Sequence, residues 1–132
     1  MSSVRVVVDG TPAPQGSKKH VGRGRLVEVS KNLPAWRAVV EAAAREAAGP
    51  GWVPWDGPVM VSGTVGIARP GSTKFGAFPA GAPDLDKLQR SIGDALEKSR
   101  VITNDARIVH WDIRKVWAVG APGADLTVTE LS

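Results

Sequence analysis

Apolar residues recur along the chain with two periods, one typical of strands and one typical of helices. Segments 4–9 and 108–117 are rich in β-branched and aromatic residues, and every second position of 59–67 carries Val, Gly or Ile. These patterns predict three strands, and weaker ones predict two short strands at 25–29 and 126–131.

Two other segments show helical spacing. The first helix is predicted to start at Ser30 or Asn32 and to end at Gly49, with an apolar face formed by Trp36, Val39, Val40, Ala43 and Ala47. The second is predicted from Leu85 to Ser99, with an apolar face formed by Leu85, Leu88, Ile92, Ala95 and Leu96.

The remaining segments, 11–24, 51–58 and 70–83, are rich in Gly and Pro, which predicts loops. The order β, β, α, β, α, β, β predicts an α/β (α+β) fold in which a small mixed sheet packs against two main helices. Because 132 residues suffice for one core but not for two ordinary domains, we expect a single domain over residues 1–132.

Composition restricts the chemistry. The chain has no Cys and only two His, His20 and His110, which excludes disulfides, thiolate zinc sites, Cys nucleophiles and multi-His metal sites. A bound metal would therefore be a hard cation held by carboxylates, such as Mg²⁺, Mn²⁺ or Ca²⁺. Since the chain shows neither a signal peptide nor about 20 consecutive apolar residues, we expect a cytoplasmic protein without a membrane partner.

The positive charge is concentrated near the N-terminus. The net charge is +4, and residues 1–37 hold seven Lys or Arg against two acids, whereas residues 38–132 hold ten against eleven. A basic segment beside a slightly acidic body predicts that the protein binds a polyanion close to a site whose chemistry uses carboxylates.

The segment 83–108 carries the candidate chemistry. Asp84 and Asp86 lie at the start of the second predicted helix, with Arg90 one turn further on. Asp105 follows the helix in a Thr-Asn-Asp turn that could fold back toward that start. Two or three carboxylates with a nearby guanidinium suit metal-dependent cleavage of a phosphodiester, because carboxylates hold hard cations and the guanidinium stabilises transition-state charge.

The same residues also have a purely structural interpretation. Asp84 and Asp86 suit the N-cap and first turn of a helix, and Asp86 and Arg90 form an i,i+4 pair. Asp105 suits an ordinary turn, and Asp94 and Glu97 are typical of a solvated helix face. The D-x-D pair alone is therefore a weak signal.

These residues belong to a longer pattern. It consists of Asp84-Leu85-Asp86-Lys87-Leu88, Arg90, Asp94-Ala95-Leu96 and Asn104-Asp105, preceded by Gly10-Thr11-Pro12-Ala13-Pro14 and a run of basic residues. The pattern resembles the signature of the RusA family of Holliday junction resolvases. The resemblance covers most of the chain, and its most specific part is the catalytic window 83–108.

The resemblance implies a small homodimeric α/β endonuclease of bacteria or their phages, acting in DNA recombination and repair. Such an enzyme makes paired nicks in four-way DNA junctions with Mg²⁺, for which Mn²⁺ is an alternative. Asp84, Asp86 and Asp105 match the family's catalytic, metal-binding carboxylates, and Arg90 lies where the family has a catalytic Lys.

We expect six basic side chains to contact DNA phosphates, namely Lys18, Lys19, Arg23, Arg25, Lys74 and Lys87. Four of them lie in the basic loop 10–25. The alternative interpretation is that this loop only keeps the protein soluble.

Aromatic residues are further candidates. We expect Trp36 in the core, and Trp111 and Trp117 in the core or at a dimer interface. Stacking on an unpaired base is a hypothesis for Trp52, Trp55, Phe75 and Phe78.

Four positions depart from the family pattern. Lys87 replaces an Asn, Arg90 a Lys, Asn104 an Asp and Arg107 a Gln. Arg does not donate a proton as Lys does. With Asn at position 104, the chain lacks a carboxylate that could bind a metal or hold one of its ligands. The leading hypothesis is an active junction endonuclease, the second a non-catalytic branched-DNA-binding protein on the same scaffold, and the third a structural domain whose acids are helix caps.

Overall fold

The computed structural model describes residues 1–16, 18–21, 25–28 and 30–132, and only the backbone of 18–21 and 25–28. The strands are β1 (Ser3–Asp9), β2 (Lys18–Val21), β3 (Arg25–Glu28), β4 (Val59–Ile67), β5 (Ile108–Trp117) and β6 (Gly123–Glu130). The helices are α1 (Leu33–Ala48) and α2 (Leu85–Lys98), and a 3₁₀ turn spans Asp105–Arg107.

A mixed four-stranded sheet with the order β1-β6-β4-β5 forms the centre of the molecule. Strand β6 pairs antiparallel with both β1 and β4, whereas β4 and β5 run parallel. A parallel pair needs a crossover connection, and α2 lies within the one between β4 and β5. The predicted α+β class, with a small mixed sheet and two helices, is confirmed.

Both helices pack on one face of this sheet. Val4, Val6 and Val8 of β1 are buried while the residues between them are exposed, so alternate side chains point toward the helices. Helix α1 contacts β1, α2 contacts β5, and the two helices contact each other. Trp36 is buried between them, as predicted, and the expected apolar face of α2 is buried at Leu88, Ile92, Ala95 and Leu96.

Strand β2 corrects one prediction. It lies inside the segment 11–24, so the expectation of a loop is wrong for residues 18–21. Strands β2 and β3 pair antiparallel in a separate two-stranded sheet. Strand β2 has only four residues, three of them polar, so it lacks the alternation of apolar and polar positions by which a strand is predicted.

Two tryptophans attach the loop 51–58 to the segment after α2. The indole N–H of Trp52 donates to the Val101 carbonyl at 3.1 Å. The backbone of Trp55 accepts from the Thr103 N–H and donates to the Val101 carbonyl, both at 3.0 Å. The two rings meet edge to face at 4.9 Å and pack against the core, so both tryptophans are parts of the scaffold.

No helix in the described part of the chain is long and apolar enough to cross a membrane.

Candidate active site

Helix α2 turns two of the predicted site residues toward one cavity. Asp86 and Arg90 lie one turn apart and are exposed, on the side of the helix opposite its buried leucines. The cavity measures about 270 Å³ and is lined by Gln15, Asp86, Gln89, Arg90, Gly93, Asp105, Ile108 and Trp111. Two carboxylates and a guanidinium from the predicted set therefore share one cavity.

Asp105 reaches this cavity through the 3₁₀ turn, which docks on α2. The backbone N–H of Asp105 donates to Glu97 Oε1 at 2.8 Å. Asn104 caps the turn, because its Oδ1 accepts from the Ala106 N–H at 2.8 Å. Glu97, expected on a solvated face, thus holds the turn, and Asn104 has a capping role that an Asp would also fill.

Gly93 lies where the turn docks on the helix. A Cβ at this buried position would lie 3.7 Å from the Cβ of Asp105 and 3.5 Å from side-chain atoms of Ile108 and Trp111. Seven residues separate Asp86 from Gly93, which puts them on the same helix face about 10 Å apart along the axis. The cavity therefore extends along α2 from its first turn to the point where Asp105 docks.

The outer side of the turn is braced by Asp56. Arg107 donates to Asp56 Oδ1 through Nε at 3.1 Å, and its Nη2 lies 3.0 Å from the same oxygen. The Thr103 hydroxyl donates to that oxygen as well. The hydrogen bond from Thr103, followed by the bond and charge of Arg107, lowers the pKa of the Asp56 carboxyl. Arg107, a departure from the family pattern, therefore supports the turn from outside.

Asp84 lines a neighbouring cavity of about 510 Å³ instead. It shares this cavity with Lys87, whose Nζ lies 3.5 Å from Asp84 Oδ2, and with Pro12, Pro14 and Pro83. Asp84 occupies the N-cap position of α2, but its side chain makes no capping hydrogen bond. The structural interpretation of this carboxylate as a cap therefore finds no supporting contact.

The described residues include no group of three His, Cys, Asp or Glu side chains that could hold a metal ion. Binding of one metal by Asp84, Asp86 and Asp105 together stays a prediction.

The N-terminal segment forms the opposite wall of the cavity. The backbone N–H of Gln15 donates to the Lys87 carbonyl at 3.0 Å, and its side chain accepts from Arg37 Nη1 at 3.2 Å. The same Arg37 nitrogen donates to Asp94 Oδ2 at 3.1 Å. Asp94, expected on a solvated face, thus forms part of a polar link between α1, α2 and the start of the basic loop.

Gly16 lies directly against the guanidinium of Arg90. A Cβ at Gly16 would come within 3.0 Å of Arg90 Cζ, and the φ of +97° is one that L side chains rarely adopt. A side chain at this position would therefore strain the backbone and displace the guanidinium of Arg90, which favours glycine here. This contact brings the start of the basic loop beside the two carboxylates.

Sequence reasoning missed five of the lining residues, namely Gln15, Gln89, Gly93, Ile108 and the cavity-facing Trp111. The motif Gly10–Pro14 ends immediately before Gln15 and is the one signal that could have identified it. Nothing in the local sequence indicates the other four, because each becomes a lining residue only through packing of α2 against β5.

The predicted DNA contacts are described in part. Arg23 and the side chains of Lys18, Lys19 and Arg25 lie outside the described residues. Lys74 is exposed, with its Nζ 5.3 Å from the centre of the Phe75 ring. Lys87 is half-buried beside Asp84, and Phe78 is 74% exposed while Phe75 is half-buried.

The groups in the cavity of Asp86 suit a hard cation and a phosphate. Mg²⁺ prefers oxygen ligands, and it commonly keeps several waters while it binds one or two carboxylates. Asp86 and Asp105 offer carboxylates, and Gln89 offers an amide oxygen. Arg90 adds a fixed positive charge whose planar donors match a phosphate.

A comparison with known proteins identifies the family of the chain. The family model described as "Endodeoxyribonuclease RusA" matches residues 9–129 of the 132-residue chain. The comparison with curated proteins gave no match. The family match spans both cavities, the two helices and every strand except β1, and the chain therefore belongs to the RusA family of endodeoxyribonucleases.

Proposed function

We propose that this protein is a homodimeric, Mg²⁺-dependent endonuclease that resolves four-way DNA junctions by paired nicks. Family membership implies a junction-resolving endonuclease in general. The observation that carries the finer proposal is the meeting of Asp86, Arg90 and Asp105 in one cavity next to the start of the basic loop.

Each residue of the cavity has a role in this proposal. Asp86 and Asp105 would hold the metal, with Asp84 as the third carboxylate, supported by the absence of a capping bond on its side chain. When bound, Mg²⁺ polarises the phosphate and lowers the pKa of a water molecule. Arg90 would bind the scissile phosphate and stabilise the negative charge that develops on it.

The DNA and the second protomer complete the proposal. Lys18, Lys19, Arg23, Arg25, Lys74 and Lys87 would contact phosphates, which provide affinity without reading sequence. A four-way junction requires two opposed nicks, and a two-fold dimer supplies two equivalent sites.

The test is nicking of a synthetic four-way junction in Mg²⁺ by the wild type, D86N and the control D112N. Asp112 is also an exposed carboxylate, but it alternates with Trp111 on β5 and so lies on the other face of the sheet. We expect D86N to lose at least about 100-fold in nicking rate, and D112N to nick like the wild type. Absence of nicking by the wild type, or equal rates for D86N and the wild type, would contradict the proposal.

Two observations favour a second function, a branched-DNA-binding protein without nuclease activity. The ammonium of Lys87 lies 3.5 Å from Asp84, where it competes with a metal for that carboxylate, and Asn104 caps a turn instead of offering a carboxylate. Junction binding without cleavage in Mg²⁺, Mn²⁺ and Ca²⁺ would favour this alternative. A purely structural domain would instead show no salt-dependent DNA affinity and no response to K18A/K19A.

A further inference from the structure

The segment that leads into α2 is held by β5. Lys115 Nζ donates to the carbonyl oxygens of Gly81 and Pro83 at 2.6 and 2.8 Å. Two residues further along the strand, the indole N–H of Trp117 donates to the Gly76 carbonyl at 2.8 Å. Hydrogen bonds from an ammonium are about twice as strong as neutral ones, and Lys115 is half-buried, so its two bonds are the firmest of the three.

The start of α2 depends on this segment because Asp84 does not cap the helix with its own side chain. Asp84 has an extended backbone with φ −68° and ψ 137°, and its carbonyl accepts the first helical hydrogen bond, from Leu88 N–H at 3.1 Å. The preceding carbonyl, that of Pro83, is bound by Lys115. The ammonium therefore restrains the orientation of the peptide group that joins Pro83 to Asp84.

The same strand also carries the other candidate carboxylate. Strand β5 begins at Ile108, directly after the 3₁₀ turn that contains Asp105. One rigid strand thus connects Asp105 at its start with the lead-in to Asp84 and Asp86, which it binds through Lys115.

We infer that Lys115 is a positioning residue, which sets the first turn of α2 relative to Asp105 and so sets the spacing of the carboxylates. This inference rests on the proposed function and deepens it. Lys115 acts through Gly81 and Pro83 and contacts neither of the two cavities directly. Its loss should therefore impair cleavage more than DNA binding.

The variants are K115M, which removes the donors, K115R, which restores a charged donor, and the control R114M. Arg114 is exposed on the same strand, so R114M removes the same charge without touching the segment before α2. Three quantities are measured: the single-turnover nicking rate at saturating Mg²⁺ and junction, the Kd for the junction in Ca²⁺, and hydrogen exchange of residues 81–88. Where K115M does not fold, K115Q takes its place in all three measurements.

We expect K115M to slow nicking by about 10- to 100-fold, the loss typical of a small displacement of reacting groups, with the Kd unchanged and with faster exchange at residues 81–88. K115R should recover most of the rate, and R114M should match the wild type. Wild-type nicking by K115M, or parallel losses in rate and Kd, would overturn the inference. If even the wild type does not nick, the proposed function fails. The positioning role is then tested by hydrogen exchange alone, and the same exchange at residues 81–88 in K115M as in the wild type would overturn it.

Discussion

Asp56, Glu97 and Asn104 show how residues outside the cavity hold a cavity residue in place. Asn104 caps the 3₁₀ turn, Glu97 accepts the backbone N–H of Asp105, and Asp56 binds Arg107 from the outside. All three bonds act on a turn whose own residues are exposed or half-buried. The position of Asp105 is therefore maintained by polar contacts and not by burial of its side chain.

The role of Asp56 predicts a pH dependence. The pKa of its carboxyl is lowered in the folded protein by the bonds from Thr103 and Arg107, so the carboxylate stabilises the fold above its unfolded pKa of about 3.9. That stability is lost as the pH falls through the folded value. We expect D56N to lose less free energy of unfolding than the wild type between about pH 5 and pH 2, as measured by urea denaturation. D112N serves as the control, and an identical drop in D56N and the wild type would disprove the role.

At the scale of elements, one side of α2 serves packing and the other side serves the candidate site. One side is buried against α1 and the sheet, and the other presents Asp86 and Arg90 to the cavity. The helix is held to α1 by a buried polar contact, in which the indole N–H of Trp36 donates to Ser91 Oγ at 3.1 Å. Ser91 in turn donates to the Leu88 carbonyl at 2.8 Å.

This contact predicts a coupled loss of stability. S91A would leave the buried indole N–H of Trp36 without its acceptor, which costs about 1–3 kcal/mol. In the background of W36F no indole N–H remains, so the same change should cost less. Urea denaturation of the wild type, both single variants and the double variant measures the coupling. Equal costs of S91A in the two backgrounds would show that the bond contributes nothing.

At the scale of the whole molecule, charge and cavity are arranged together. The excess of basic residues lies in residues 1–37, and this segment passes directly over Arg90 at Gly16. A nucleic acid that follows the basic segment would therefore be brought to the cavity of Asp86 and Asp105.

This arrangement predicts a strong salt dependence of junction binding. A plot of log K against log salt concentration should have a negative slope, and K18A/K19A should reduce its magnitude by about 2 for each protomer bound, because each phosphate contact contributes roughly 0.9. The control R45A/R114A removes two exposed charges outside the basic segment and should leave the slope unchanged. The slopes are obtained from fluorescence anisotropy titrations at several salt concentrations, and equal slopes for both double variants would exclude a DNA-binding role of this loop.

Prediction from sequence succeeded for helices and strands whose apolar residues recur with a regular period along the chain. The helices and the strands β1, β4 and β5 follow from side-chain periods, because burial of one face repeats every 2 or 3.6 residues. Strand β2 escaped prediction, since its four residues, Lys-Lys-His-Val, show no alternation of apolar and polar positions. Of the candidate site, Asp86, Arg90 and Asp105 were predicted by type and spacing, whereas Gln89 and Gly93 carry no local signal.

The sequence by itself determined the two helices, the strands β1, β4 and β5, the family resemblance and the candidate carboxylates. Only the tertiary structure decided that Asp84 and Asp86 open into different cavities and that Asp105 docks at Gly93 and Glu97. The physical reason is the distance along the chain between the partners. Contacts such as Gln15 with Lys87, or Lys115 with Pro83, form only after remote segments have packed, and they leave no periodic pattern in the sequence.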